Sequence, residues 1–238
     1  MRILTVSTVE EIRPGHVDGR TVIVIDVLRA SSTIVTALDS GFEFVIPVGT
    51  ATEAFALHSL NTVIAGERHC QKIDGFDYNN SPTELRKKDH KGKHLILTTT
   101  NGTKAVEKAA KADRLLIGCF LNASACINAA MVHNRDITIC CAGTRNEFAL
   151  EDGLAAGMMV HSAKKQASYI ETCDFSDALE ACFLQLAQRL PKLLFTTTTG
   201  KRLVQNQYTD DIQYCGQTDV LKIVPIVKGN RILSLSDT

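Results

Sequence analysis

The sequence predicts an α/β fold with three layers, α/β/α, around a mainly parallel or mixed sheet. Two observations support this prediction. Apolar, strand-like runs alternate along the chain with helix-like stretches, as in a sheet whose strands are joined by crossover helices. The strand-like runs are also continuously apolar, which is typical of strands that are covered on both faces.

Six segments have the length and composition of buried strands: residues 21–27, 44–48, 62–65, 94–98, 114–119 and 136–141. Five helix-like stretches follow them: residues 32–40, 50–60, 102–112, 123–134 and 148–165. Apolar residues at helical spacing predict a further helix within residues 166–190, and Pro191 ends it because proline interrupts helices.

The chain length fits one α/β domain, residues 1–238, and leaves a division into two lobes open. Residues 195–238 contain a polar, threonine-rich segment and then an apolar run broken by Pro225. We expect this tail to form a peripheral helix followed by an added strand.

The charge balance argues against a nucleic-acid partner, because 26 basic and 26 acidic residues give a net charge of zero. No apolar run approaches the ~20 residues that span a bilayer, so no membrane partner is expected. The first residues are too short and too strand-like for a signal peptide. We therefore expect a cytoplasmic protein.

Eight cysteines raise the alternative of a metal or disulfide protein. The chain has no Cys-x-x-Cys pair, and most cysteines lie in apolar surroundings, which favours buried free thiols in a reducing compartment. His69-Cys70 is the one adjacent His/Cys pair, and an isolated pair is a weak indication of zinc.

Five of the six predicted strands, all except residues 44–48, are followed by polar, charged or helix-capping residues. Because open α/β sheets bind ligands at the carboxyl ends of their strands, the five ends predict a shared cleft. One of these ends, at Asn122 or Ser124, is explained more simply by a helix cap.

The first of these ends is the most informative. Asp26 closes a buried strand, and Arg29 and the hydroxyl residues Ser31, Ser32 and Thr33 come directly before a helix. Carboxylates bind hard cations, arginine binds oxyanions, and helix N-termini favour anions. This run predicts a metal ion and an oxyanion held side by side.

Two further segments extend this prediction. The carboxylates Asp26, Glu67, Glu151 and Asp152 are candidate Mg²⁺ ligands, although Mg²⁺ often takes only one or two protein carboxylates. The turn at residues 98–103 is a second anion site or a plain strand-to-helix turn, in which Gly102 permits a tight bend and Thr103 can cap the helix. Its candidate ligand-binding residues are Thr99, Asn101, Gly102 and Thr103.

Several common phosphate-site signatures are excluded. Leu28 replaces the second aspartate of an Asp-x-Asp phosphatase, and only four residues separate Cys140 from Arg145 where a cysteine phosphatase has five. There is also no Gly-x4-Gly-Lys-Ser/Thr loop and no Gly-x-Gly-x-x-Gly motif, so nucleotide binding is unsupported.

Taken together, the segments resemble the 2-phosphosulfolactate phosphatase family. The matching stretches, in chain order, are residues 26–33, 66–68, 80–82, 98–103, 141–144 and 149–152. The resemblance implies a magnesium-dependent acid phosphatase that converts 2-phospho-3-sulfolactate to 3-sulfolactate, a step toward coenzyme M. It also implies a homodimer. After Gly143-Thr144, the chain departs from the expected small, glycine-containing turn with Arg145-Asn146-Glu147.

Our hypothesis is therefore metal-assisted hydrolysis of a small phosphorylated sulfonate or 2-hydroxy acid. Asp26, Glu67 and Glu151 or Asp152 are the expected metal ligands, with Asp26, Arg29, Glu67 and Asp152 as the catalytic set. Arg68 and Arg145 are candidates for the sulfonate or carboxylate end. A covalent path through Asp26 stays open, as do a non-catalytic anion-binding or sensor protein and a zinc protein that uses His69 and Cys70.

Overall fold

The computed structural model of the chain describes residues 1–237. Its strands are β1 (Arg2–Val6), β2 (Thr21–Ile25), β3 (Phe44–Val48), β4 (Thr62–Arg68), β5 (Gln71–Lys72), β6 (His94–Thr98), β7 (Arg114–Gly118), β8 (Ile137–Cys141), β9 (Glu171–Thr172), β10 (Pro225–Lys228) and β11 (Arg231–Ser234). Its α-helices are α1 (Ala30–Asp39), α2 (Ala51–Leu57), α3 (Pro82–Leu85), α4 (Asn101–Lys108), α5 (Ala123–Met131), α6 (Leu150–Gln166), α7 (Asp174–Leu186), α8 (Thr198–Gln205) and α9 (Thr209–Cys215).

The predicted α/β class is confirmed, because the strands form one mixed sheet with helices around it. All six predicted strands are present, and β4 is the one that runs clearly further than expected, to Arg68. The helix within residues 166–190 is α7, which begins only at Asp174 because the short edge strand β9 precedes it.

The sheet consists of two parallel parts joined by an antiparallel hairpin. Its strand order is β5-β4-β6-β3-β11-β10-β7-β2-β8-β1-β9. Strands β4, β6 and β3 are mutually parallel, as are β7, β2, β8, β1 and β9. The hairpin β10–β11 pairs antiparallel with β7 on one side and with β3 on the other.

The hairpin β10–β11 of the tail therefore lies at the centre of the sheet, which differs from the predicted peripheral position. Ile226 of β10 pairs with Leu116, and Ile232 of β11 pairs with Val45. Both isoleucines are buried, so the apolar run near the C-terminus is explained by burial between two strands. Sequence distance concealed this position, because the pairing partners lie more than a hundred residues away.

The two parallel parts also share a hydrophobic core. In β2, Val22 and Val24 belong to a cluster that also contains Val63 of β4 and Leu95 of β6. Ile23 lies on the other face, in the cluster beneath α5, α6 and α7. Strands β2 and β6 therefore pack against one core although they belong to different parallel parts of the sheet.

No helix in the described chain, residues 1–237, is both long enough and apolar enough to cross a bilayer.

Candidate active site

A polar cleft of about 220 Å³ lies where the carboxyl ends of the two parallel parts meet. It is lined by residues that directly follow β2, β4, β6 and β8: Asp26, Leu28, Arg29, His69, Cys70, Thr99, Thr100, Asn101, Gly143, Thr144, Arg145 and Asn146, together with Glu67 from the end of β4 itself. Sites for drug-sized ligands are roughly 300–1,000 Å³, so this volume favours a small metabolite.

One of the five predicted strand ends, the one after β7, does not contribute to this lining. Asn122 accepts a hydrogen bond from Cys119 N at 3.0 Å and donates to Ile223 O at 2.8 Å. Ser124 donates to Asp219 through both its amide and its hydroxyl. These contacts fasten the start of α5 to the tail. The expected helix cap at Asn122 or Ser124 is wrong, because neither side chain accepts from an amide of α5 and Asp219 accepts from the Ser124 amide instead.

Asp26 is the centre of the negative charge in the cleft. Its Oδ1 accepts a hydrogen bond from Ala30 N at 3.2 Å, so the carboxylate is held against the first turn of α1. Burial, together with the charges of Glu67 and Glu151, raises the pKa of Asp26 from 3.8 to about 7, although the bond from Ala30 lowers it. An opposite charge at this place would relieve that repulsion.

Gly102 allows the start of α4 to approach Asp26. A Cβ at this position would lie 2.7 Å from Cβ of Ala30, 3.0 Å from Oγ1 of Thr99 and 3.3 Å from Oδ2 of Asp26. The glycine predicted for a tight turn therefore also permits the contact between the two helix starts, one from each part of the sheet.

Asp152 is buried and holds two loops together. Its Oδ1 accepts from Val27 N at 2.8 Å, and its Oδ2 accepts from Gly143 N at 3.0 Å. Burial and the charges of Asp26 and Glu151 raise the pKa of Asp152 well above its usual value. Asp152 thus fixes the loop after β2 against the loop after β8, and does not itself line the cleft.

The candidate metal ligands are divided between two places. Asp26 and Glu67 line the cleft, whereas buried Glu151 lines a neighbouring pocket that shares Thr144 and Thr199 with it. In residues 1–237, no three His, Cys, Asp or Glu side chains form a set that could hold a metal ion. Two protein carboxylates with open space beside them fit Mg²⁺, which commonly keeps several waters, and the raised pKa of Asp26 marks a place where a cation would be stabilised.

The hydroxyl groups of Ser31, Ser32 and Thr33 are buried and lie outside the lining of the cleft. Ser31 Oγ accepts from Asp26 N at 2.9 Å, and Ser32 Oγ donates to Val27 O at 2.8 Å. The amide of Ser31 donates to Asp26 O, and that of Thr33 to Arg29 O. These residues build the strand-to-helix turn that presents Asp26 and Arg29.

The turn after β6 supplies the helix start that faces the cleft. Thr100, Asn101 and Lys104 line the cleft at the N-terminal end of α4. Asn101 Nδ2 donates to Gly143 O at 2.8 Å, and Thr99 Oγ1 accepts from Thr103 N at 3.2 Å. Helix N-termini favour anions, so this end of α4 is the candidate oxyanion site.

Arg29 lines the cleft, but its side chain is buried and other side chains fix its position. Its Nη1 donates to Asp211 Oδ2 at 2.6 Å, and its Nη2 donates to Asn79 Oδ1 at 3.1 Å. The ring of Tyr208 lies 4.5 Å from its guanidinium carbon. The guanidinium therefore has a fixed orientation.

Of the two arginines expected at the acid end of a substrate, the structure brings only Arg145 to the cleft. Arg68 is exposed at the end of β4, outside the lining. Arg145 and Asn146 have φ values of 53° and 64°, and Thr144 and Glu147 exchange backbone hydrogen bonds around them. This is a two-residue hairpin turn, so the departure from a glycine-containing turn places a cationic side chain at the mouth of the cleft.

Five lining residues were not predicted from the sequence: Asn80, Lys104, Thr199, Arg202 and Leu203. Arg202 comes from α8 in the tail, and its Nη2 donates to Thr144 Oγ1 at 2.7 Å. Of these, only Asn80 could have been found from the sequence, because it begins the 80–82 turn that belongs to the family resemblance. Arg202 could not, because its position depends on how the distant tail folds back.

The zinc alternative finds no support in the described part of the chain. All eight cysteines are free thiols, and five of them are buried. Cys70 and His69 line the cleft, but Cys70 is engaged through its backbone, with its amide donating to Glu67 Oε2 at 2.7 Å. Burial, and the charge of Glu67, raise the pKa of the Cys70 thiol, which disfavours a thiolate ligand.

Comparison with known proteins gives a consistent result. The 2-phosphosulpholactate phosphatase family profile matches residues 6–230. A probable 2-phosphosulfolactate phosphatase of Caldanaerobacter subterraneus subsp. tengcongensis is 37% identical over 241 residues, covering 100% of both chains. Proteins of the same printed name from Thermotoga maritima and Clostridium acetobutylicum are 40% and 33% identical, covering 91% and 98% of this chain and 93% and 100% of theirs. The resemblance indicated by the motifs is confirmed.

Asp26→Asn should stabilise the metal-free protein at pH 8 far more than at pH 4.5. Folding raises the pKa of Asp26 from 3.8 to about 7, so the carboxyl group loses its proton at a lower pH in the unfolded chain than in the folded protein. The free energy of unfolding therefore falls as the pH rises from about 4 to about 7. The amide removes this cost, on the order of 3 kcal/mol at pH 8. Urea unfolding in EDTA at both pH values measures it.

The control for this measurement is Glu107→Gln, which alters an exposed carboxylate on α4. It should change the free energy of unfolding equally little at both pH values. An Asp26→Asn effect of the same size at pH 4.5 and pH 8 would contradict the burial of a costly charge at Asp26.

Proposed function

The chain belongs to the 2-phosphosulfolactate phosphatase family, and we propose that its cleft hydrolyses 2-phospho-3-sulfolactate to 3-sulfolactate and phosphate with the aid of Mg²⁺. Membership makes it a phosphoric monoester hydrolase. The observation that carries the proposal is the pairing, in one small cleft, of a carboxylate centre at Asp26 with a helix N-terminus and several cations.

The charges in the cleft suit a small molecule with several acid groups. Two carboxylates, Asp26 and Glu67, share the lining with four cations, Arg29, Lys104, Arg145 and Arg202, of which Arg29 is paired with Asp211 behind the cleft. A substrate with phosphate, carboxylate and sulfonate groups brings negative charge that this excess of cations compensates. Electrostatic complementarity of this kind favours such a substrate over a neutral phosphate ester.

We place the phosphoryl group at the start of α4, within reach of Arg29. The amides of the first turn of α4, the Thr99 hydroxyl and the fixed guanidinium would provide donors for its oxygens. Asp26 and Glu67 would hold Mg²⁺, which when bound supplies charge neutralisation and an activated water. Positioning and charge stabilisation would then account for most of the rate acceleration.

Asp152 and Ser31 would act by positioning rather than by touching substrate. Asp152 keeps Val27 N and Gly143 N at a fixed distance from each other, and Ser31 holds the amide of Asp26. Both side chains therefore maintain the geometry of the Asp26 carboxylate with respect to the loop that carries Arg145. Glu151 adds negative charge beside Asp26 and is the candidate third ligand.

Arg145 and Arg202 are the proposed binding residues for the acid groups of the substrate beyond the phosphate. Arg202 takes the role expected of Arg68, because α8 brings it beside Thr144 while Arg68 points away from the lining. Hydrolysis in the cytoplasm, as a homodimer and as a step toward coenzyme M, remains a prediction from the resemblance.

The first test of this function is phosphate release from 2-phospho-3-sulfolactate, with and without EDTA. We expect turnover in Mg²⁺ and its loss on chelation, and Asp26→Asn should lower kcat by about 10³-fold or more while the fold is kept, since one group would hold both metal and phosphoryl geometry. Circular dichroism checks the fold. Turnover that survives chelation removes the metal from the mechanism.

Other outcomes of the same assay identify the alternatives. Binding of phosphate or sulfolactate without phosphate release would favour a non-catalytic anion-binding protein. A phosphoenzyme that forms on the parent protein and not on Asp26→Asn would favour the covalent path through this carboxylate.

Arg202→Gln should raise the KM for 2-phospho-3-sulfolactate by roughly 10–100-fold, with a smaller effect on kcat. A hydrogen bond between charged groups contributes about 1.5–3 kcal/mol, and 1.4 kcal/mol corresponds to tenfold in affinity. The KM for ethyl phosphate, which lacks both further acid groups, should change little. Steady-state kinetics with the two substrates make the comparison.

Lys201→Gln is the matched control, because Lys201 is an exposed neighbour in α8 that does not line the cleft. It should leave both KM values unchanged. Equal losses with both substrates in Arg202→Gln would mean that Arg202 only supports the loop at Thr144.

A further inference from the structure

We propose that Asp211, a buried carboxylate in the C-terminal tail, is a positioning residue that sets the orientation of Arg29 in the cleft. This inference deepens the proposed function and rests on it, because it assumes that Arg29 contacts the substrate. Asp211 follows β2 by more than 180 residues, yet its Oδ2 accepts from Arg29 Nη1 at 2.6 Å. Both side chains are almost completely buried, with 2% and 0% of their surface exposed.

Asp211 is itself held firmly on its other side. Its Oδ1 accepts hydrogen bonds from Ser81 Oγ at 2.8 Å and from Thr83 N at 3.2 Å, and also from the Thr83 hydroxyl. Ser81 is the N-cap of α3. The carboxylate therefore joins three distant parts of the chain: the turn after β2, the start of α3 and the start of α9.

The remaining contacts of Arg29 fix the plane of its guanidinium. Nη2 donates to Asn79 Oδ1, which also accepts from Asn80 N at 2.6 Å. Tyr208 is the residue that precedes α9, and its ring stacks on the guanidinium. Since two of its nitrogens and one face are occupied, the group can present only its remaining donors to the cleft.

The ion pair also changes what Arg29 offers to an oxyanion. A guanidinium whose charge is balanced by a carboxylate at 2.6 Å adds little net positive charge, so its contribution is a set of directed donors. The surplus cations would then be Lys104, Arg145 and Arg202. Without Asp211, Arg29 would carry an unbalanced charge and could turn toward the phosphate.

A structural ion pair alone would have different consequences. Buried ion pairs are weak evidence for stability, and breaking one leaves a charge without a partner. If Asp211 served stability only, its substitution would lower the unfolding temperature and leave the kinetics of the folded fraction unchanged. If it positions Arg29, the kinetics of the folded enzyme must change.

Asp211→Asn should therefore lower kcat by about 10²-fold, the loss typical of a misplaced binding group, and should tighten inhibition by inorganic phosphate. The control is Asp210→Asn, which alters the exposed neighbour in the first turn of α9 and should leave both quantities unchanged. Thr83→Val, which removes one of the donors to Asp211, should shift both in the same directions by smaller amounts. An unchanged kcat in folded Asp211→Asn overturns the proposal.

A rescue experiment keeps Asp211 intact and separates the proposal from the function. In Arg29→Ala, about 10 mM guanidinium should occupy the space beside Asp211, raise the unfolding temperature and restore part of the phosphatase activity, whereas urea should do neither. In Arg29→Ala/Asp211→Asn, guanidinium should have no effect on either quantity. A double variant that responds as strongly as Arg29→Ala, or an Arg29→Ala protein that does not respond, overturns the proposal.

The unfolding temperature and the phosphatase activity give different results if the proposed function fails. A guanidinium-dependent rise in unfolding temperature that requires Asp211, in a parent protein that releases no phosphate from 2-phospho-3-sulfolactate, supports the anchoring of Arg29 and rejects the phosphatase assignment.

Discussion

The rest of the structure depends on keeping a carboxylate, Asp26, among other carboxylates at the end of a buried strand. Asp26 lies beside the carboxyl groups of Glu67 and Glu151, and burial together with the charges of these two residues raises its pKa to about 7. Ionising such a group costs free energy that the remainder of the fold must offset. A proton or a cation beside Asp26 removes this cost near neutral pH.

The surrounding contacts keep this geometry in place. Ser31 and Ala30 bind the backbone and carboxylate of Asp26, Asp152 fastens the loops after β2 and β8, and Gly102 lets α4 come close. Among these contacts, the approach at Gly102 joins one parallel part of the sheet to the other, because α4 follows β6 and Asp26 follows β2. The central hairpin β10–β11 joins the two parts, so the tail contributes to the site both through the sheet and through the helices α8 and α9.

The sequence contained the local part of this site and lacked the distant part. The position of Asp26 could be predicted because a continuously apolar strand in a parallel sheet exposes its carboxyl end at the ligand edge. The same logic placed Glu67, Thr99 and Arg145 at the cleft. It could not distinguish a hydroxyl that faces a ligand from one that closes a turn, so Ser31 was expected at the ligand.

Contacts between distant segments account for the remaining differences. Nothing near Arg202 or Asp211 in sequence indicates that one reaches Thr144 and the other reaches Arg29. Arg68 was expected in the cleft because it follows Glu67, but consecutive residues of a strand point to opposite faces. The central position of the tail likewise depends on pairing with β3 and β7, which no local pattern encodes.

The most direct test of this account is a calorimetric titration of the protein with Mg²⁺ at pH 7 in two buffers of different ionisation enthalpy. If Asp26 is about half protonated in the metal-free protein and binds the cation, each Mg²⁺ should release about half a proton, and the apparent enthalpy should depend on the buffer accordingly. At pH 9 the release should vanish. Absence of Mg²⁺ binding, or binding at pH 7 without proton release, would contradict the account.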